Sequence, residues 1–131
     1  MNSMSGSDYD YSPVYRKAIE ILHISRHISN YLVQDLSGLQ ANGSEDRCIY
    51  FTGDIIQQSI SLVPNILRAE SEPFSEEKHK YAASVTRLTN MLYKNCERLE
   101  LSNSNGREFL RILRFELKKF RKLQRTWKLT L

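Results

Sequence analysis

Apolar residues recur at three- and four-residue spacing in four long stretches of this chain, and no stretch alternates apolar with polar positions as a half-buried strand would. In the first stretch Val14, Ala18, Ile21, Ser25, Ile28, Leu32 and Leu36 mark one helix face. Ser12-Pro13 opens that helix, the serine as a cap and the proline in the first turn, and the pattern runs to about Leu39. Gly38 to Asp46, with Asn42-Gly43-Ser44 inside it, is a loop. A second helix over about Asp46 to Glu70 turns Ile49, Ile56, Ile60, Val63 and Leu67 inward. Ser71 to Ser75 is a short turn containing Pro73, and Ser75 caps a third helix with the stripe Tyr81, Val85, Leu88, Leu92, Cys96 and Leu99. Ser102 to Asn105 closes it, and Asn105 with Glu108 three residues on has the spacing of a capping box for a fourth helix, Gly106 to Leu131.

Each helix has about 25 residues, so each is nearly 40 Å long at about 1.5 Å per residue. With short connections each must run antiparallel to its predecessor. The expected fold is an all-α, antiparallel, up-down-up-down four-helix bundle over residues 12–131, a single domain. Residues 1–11, rich in Ser, Gly and Asp, read as a disordered tail. Pro64 interrupts the regularity of helix two: it cannot donate to the carbonyl of Ile60 and its ring crowds that carbonyl, which predicts a kink or a local break.

Charge changes the picture at one place. Hydrophobic content of 40% and charged content of 26% are ordinary for a globular protein, but the fourth helix carries nine Lys and Arg against Glu108 and Glu116. That makes it +7 in a chain of net +4, so the rest of the chain is net negative. On a helical wheel with Arg107 at zero, Arg111, Arg114, Lys118, Arg121, Lys122, Arg125 and Lys128 all fall within about 60°. Phe109, Ile112, Leu113, Phe120, Leu123 and Trp127 fall on the other side. Phe115 lies at about 80°, beside Arg111, Lys118 and Lys122, where its ring can stack on an unpaired base or pack on a neighbouring subunit. A row of cations some 30 Å long, with no acid interleaved, points to an anionic partner, and phosphates repeating along RNA or DNA fit it. A solvated face is the alternative, although Glu/Lys pairing is the cheaper way to build one.

A short segment of helix two carries a family resemblance. Ile60-Ser61-Leu62-Val63-Pro64-Asn65-Ile66-Leu67-Arg68-Ala69-Glu70 resembles the Ser-Ile-Pro-x-Asn-Ile-Ala-Glu-Gly segment of the four-helix-bundle proteins encoded in 23S rRNA intervening sequences. Val14-Tyr15-Arg16-Lys17-Ala18 looks like that family's first-helix opening. The basic fourth helix with Trp127 near its end is similar to the related accessory variability proteins of diversity-generating retroelements. The chain departs from the pattern at two places: Ser71 stands where a glycine should follow Glu70, and Gln57-Gln58-Ser59 stands where an Arg-rich run should precede the proline. The resemblance implies a homo-oligomeric ring, typically a pentamer, with nucleic acid or a reverse transcriptase as partner and no catalysis by the bundle.

Other candidate chemistry is thin. Glu116 falls near the middle of helix four's apolar side and must find a partner; it is either a buried polar link fixing register or a boundary position reached by Lys, Arg or water. Glu-x-x-His occurs at Glu20/His23 and Glu76/His79, the spacing of di-metal bundles, but both pairs face away from the apolar stripes, so no metal or other cofactor is expected. His23 and His27 form an exposed i,i+4 pair. Cys48 and Cys96 come to one level of an antiparallel hairpin, as reduced core thiols or a redox-sensitive pair. No nucleophile–base pair or phosphate-binding glycine loop is present, so an enzyme is not expected. No apolar run approaches the roughly 20 residues that span a bilayer, Met1 to Asp10 lacks signal-peptide character, and two cysteines fit a reducing cytoplasm. The leading expectation is a non-catalytic nucleic-acid-binding accessory. The alternative is an oligomeric scaffold whose basic helix meets acidic protein, such as the Glu70, Glu72, Glu76, Glu77 run of another copy.

Overall fold

The computed structural model describes residues 11–36, 48–102 and 106–131. They form four helices: α1 (Pro13–Leu36), α2 (Cys48–Ser71), α3 (Ser75–Ser102) and α4 (Arg107–Leu129), with no strand among the described residues. Each helix packs on its two neighbours in the ring α1–α2–α3–α4. Side-chain partners run in opposite directions along neighbouring helices: Gln58 meets Asn95 and Arg68 meets Tyr81, while Glu100 meets Arg114 and Asn90 meets Arg121. The result is the antiparallel up-down-up-down bundle. No helix among the described residues is long and apolar enough to cross a membrane.

The helix ends follow local chemistry. At α1 the Ser12 Oγ accepts the Tyr15 N–H at 3.1 Å, the expected cap. Ser75 is the first residue inside α3 rather than its cap, and the Lys78 N–H bonds the Phe74 carbonyl at 3.0 Å. The residue preceding α4 is Gly106, which has no side chain to offer as a cap, and Asn105, one half of the expected capping box, lies outside the described residues. Lys78 closes the far end of α2, its Nζ donating to the Ala69 and Glu70 carbonyls at 3.4 and 3.2 Å. α2 continues helically through Pro64, so there is no break. Pro64 and Ile60 are both on the exposed side, where water can serve the carbonyl that the proline leaves without a donor. The tail at residues 1–10, the loop at 38–46, Asn105, and the side chains of Leu32, Leu36, Cys48 and Ile49 lie outside the described residues.

The core draws on all four helices: Val14, Ala18, Ile21 and Ile28 from α1, and Val85, Leu92, Cys96 and Leu99 from α3, are buried as their stripes predict. Helix α2 departs from expectation. Ile55, Ser59, Leu62, Ile66 and Ala69 point inward, while Ile60 and Leu67 are exposed and Ile56 and Val63 half-buried. Its apolar residues come in adjacent pairs, so two neighbouring stripes compete. The buried stripe is the one that places Ser59 against Ser25 of α1, hydroxyl to hydroxyl at 2.7 Å.

Candidate functional site

Helix α4 also sits at a different rotation from the one its charges imply. Leu110, Leu113, Leu117, Phe120, Gln124 and Trp127 are buried, so on the wheel used above the core lies at about 250° rather than opposite Arg107. Phe109 and Ile112, expected inside, are exposed, and Leu123 is half-buried. The helix has more apolar side chains than one stripe can hold. The leucines at 110, 113 and 117, at three- and four-residue spacing, take the core and push the remainder outward. Phe115 then stands almost diametrically opposite the core and is 59% exposed. The Lys119 Nζ lies 5.0 Å from its ring centroid.

This rotation divides the cations into two sets. Arg107, Arg111, Lys118, Lys122 and Arg125 are exposed, and among the described residues none of them has a carboxylate within ion-pair distance. They extend over about 27 Å of helix. Arg114, Arg121 and Lys128 lean onto α3 and are half-buried. Arg114 grips both oxygens of Glu100 from α3, Nε at 2.6 Å and Nη2 at 3.0 Å, with Nη1 3.4 Å from the Tyr93 hydroxyl. The acid missing from α4's cationic side is supplied to this arginine by its neighbour. Arg121 donates to Asn90 Oδ1 at 3.1 Å and stacks on the Tyr93 ring, its guanidinium carbon 4.2 Å from the centroid. Glu100, Tyr93 and Asn90 belong to α3 and carry no motif, so only the assembled helix pair reveals their part.

Glu116 is a boundary carboxylate reached by lysines. It accepts a short hydrogen bond from Lys17 of α1 and another from Lys119 at 3.0 Å. The bond from Lys17 is the main reason that its carboxyl is held below the usual carboxylate range. The other side of α4 faces α1 across an apolar cleft of about 330 Å³, where Phe109 meets Tyr31 and His27 at ring distances of 5.1 and 6.5 Å.

His23, His27 and His79 are exposed; the Glu20 carboxylate takes the Lys17 Nζ at 2.7 Å, and His79 Nδ1 lies 2.7 Å from the Ser75 carbonyl. No group of three or more His, Cys, Asp or Glu among the described residues is arranged to hold a metal. Cys96 is fully buried, and burial pushes its thiol up to about 12, which keeps it protonated and poorly nucleophilic at neutral pH. Of the acidic run, Glu70 is engaged within the bundle, its Oε2 accepting the Trp127 Nε1–H at 2.9 Å. No protein-family model, curated protein or solved structure matches this chain.

Proposed function

We propose that this protein is a non-catalytic accessory that binds RNA or DNA along α4. The observation that carries the reading is the exposed row Arg107, Arg111, Lys118, Lys122 and Arg125, without carboxylate partners among the described residues and with Phe115 projecting from its middle. Like-charged neighbours on a helix repel, by about 0.2–0.5 kcal/mol per i,i+4 pair, so such a row costs stability and a polyanion relieves it. An exposed aromatic ring among cations is the arrangement that stacks on unpaired bases while the cations track the backbone. The resemblance of the Ser61–Glu70 segment to 23S rRNA intervening-sequence proteins points the same way, to a cytoplasmic oligomer working beside a reverse transcriptase.

Fluorescence anisotropy with short single- and double-stranded RNA and DNA across a salt series tests this. Five neutralised phosphates give a log–log salt slope of about −3.5 on single strands and about −4.5 on duplex. The triple variant Arg111→Glu, Lys118→Glu, Lys122→Glu should abolish binding with helicity unchanged by circular dichroism. Undiminished binding by that variant refutes the assignment. A second reading has its own observation: Phe74, 70% exposed, sits among Glu72, Glu76 and Glu77 at the α2–α3 turn, an acidic and apolar edge that suits the α4 face of another copy. Assembly that dissociates in high salt, together with no nucleic-acid binding in low salt, would favour that scaffold.

A further inference from the structure

The groove between α3 and α4 is electrically uneven along its length. Toward the start of α4 it is lined by Glu97 and Glu100, and Glu100 satisfies Arg114. Toward the end of α4 it opens into a notch of about 310 Å³ whose walls are Thr86 and Asn90 on one side and Arg121, Arg125 and Lys128 on the other. No carboxylate lines this notch. Its floor is a closed polar network: Gln124, 3% exposed, donates from Nε2 to the Thr89 hydroxyl at 2.7 Å and accepts from the Thr86 hydroxyl at 3.3 Å. The three cations stand on successive turns of one helix flank, and Arg121 is held by Asn90 and the Tyr93 ring before any ligand arrives.

We propose that this notch seats a compact phosphate group of two or more negative charges, brought in on the end of a nucleic-acid strand. The inference rests on the reading of α4 given above and adds to it a subsite that shares Arg125 with the outer row. An internal phosphodiester carries one charge and is matched by one exposed cation of the outer row. Three cations converging on a single notch exceed that requirement and match a terminal phosphate, which bears about −1.5 to −2 near neutral pH and three acceptor oxygens. Pre-positioning of Arg121 lowers the ordering cost of binding, because its guanidinium needs no further immobilisation.

The test compares short single strands bearing a 5′-phosphate, a 3′-phosphate or only hydroxyl ends, by anisotropy at one salt concentration. The proteins compared are the wild type, Arg125→Gln/Lys128→Gln and the outer-row control Arg111→Gln/Lys122→Gln; inorganic pyrophosphate serves as a free-ligand probe in thermal-shift measurements. The expected result is a preference of about tenfold for an end-phosphorylated strand in the wild type, equivalent to about 1.4 kcal/mol. That preference should fall below about twofold in Arg125→Gln/Lys128→Gln. In Arg111→Gln/Lys122→Gln both strand types should weaken together and the preference should persist. Strands that bind with equal affinity whatever their ends overturn the notch while leaving the outer row intact. Stabilisation by pyrophosphate, lost in Arg125→Gln/Lys128→Gln, with no strand binding at all, supports the phosphate seat but makes a free oligophosphate its ligand and refutes the nucleic-acid reading. No response to any probe overturns both.

Discussion

The contact between Lys17 and Glu116 closes the ring of helices, joining the first to the last, and its worth can be worked out from the structure. The side chains are 17% and 15% exposed. Breaking a fully buried ion pair costs about 3–5 kcal/mol, and an exposed pair contributes about 0–1 kcal/mol. Lys17→Met leaves Glu116 with Lys119 at 3.0 Å, so the carboxylate is not orphaned, and the expected loss is about 1–2 kcal/mol. For a domain of this size that lowers Tm by about 4–8 °C. Glu116→Gln leaves Lys17 with Glu20 at 2.7 Å and should cost about 1 kcal/mol, with a coupling of about 1 kcal/mol in the double-mutant cycle. The pH dependence follows from the shifts. The folded-state pKa of Glu116 lies below the ordinary 4.5, chiefly through the Lys17 hydrogen bond, so its stabilisation is present above that value and is lost as pH falls through the folded pKa. Burial alone would lower Lys17, but its bonds to Glu116 and Glu20 outweigh burial and raise it above 10.5. Its contribution is therefore complete below pH 10.5 and fades only above it. Urea unfolding, followed by far-UV circular dichroism and by the fluorescence of Trp127, the single tryptophan, measures each variant. The reasoning is refuted if Lys17→Met lies within about 0.3 kcal/mol of wild type near pH 7. It is equally refuted if the gap between wild type and Glu116→Gln does not narrow below about pH 4.5.

Three further outcomes are expected. Leu117→Ala, at a fully buried position, should cost about 2–5 kcal/mol, whereas Ile112→Ala, at 53% exposure, should stay within about 0.5 kcal/mol; equal costs in urea titrations would contradict the rotation of α4. Gln58→Leu should cost about 1–3 kcal/mol by leaving the Asn95 amide, 3.0 Å away, without its acceptor, and adding Asn95→Leu should recover part of that loss. Cys96 should resist iodoacetamide in the native protein near pH 8 and react in urea, as read by peptide mass mapping; native labelling would mean that the thiol is neither buried nor pushed up to about 12.

The number of helices, their order and their limits to within a few residues were legible because long amphipathic stretches separated by breakers admit few other solutions. The inward face of α1 was legible too: Val14, Ala18, Ile21, Ser25 and Ile28 are buried, while the adjacent apolar stripe Tyr15, Ile19 and Leu22 is interrupted by Arg26 and Ser29 and stays half-buried or exposed. The faces of α2 and α4 were not. Where Ile55 and Ile56, or Ile66 and Leu67, sit side by side, a single-helix wheel cannot say which of two stripes the neighbours will cover. In α4 the charges were the misleading signal: placing the core opposite the cations assumes that every cation seeks water, yet Arg114 is satisfied by Glu100 and leans inward onto α3. The cationic row was readable from residue spacing. Its division into an exposed outer set and a groove-facing set required knowing where α3 lies.

Hydrophobic stripes at helical spacing tolerate sliding, because a helix moved by one turn against its neighbour can bury a similar set of leucines and isoleucines. Among the described residues a buried or half-buried polar link crosses each of the four interfaces: Ser25 to Ser59 between α1 and α2, Gln58 to Asn95 between α2 and α3, Thr89 to Gln124 (with Thr86 and the Arg114–Glu100 pair) between α3 and α4, and Lys17 to Glu116 between α4 and α1. A slip of one turn would strip every donor and acceptor in such a link of its partner, at about 1–3 kcal/mol for each group left unsatisfied. No buried side-chain polar atom among the described residues lacks a partner, so the register observed is the one in which all four links close together. Two of these links also position the proposed binding surface. Thr89 and Gln124 set the height of α4 against α3, which brings Arg121 to Tyr93 and Asn90 and Arg114 to Glu100. Glu116 and Lys17 set α4 against α1, and with the buried leucines they hold the rotation that turns Phe115 and the outer cations to solvent. The polar groups within the bundle and the charged row outside it are thus coupled through the position of a single helix.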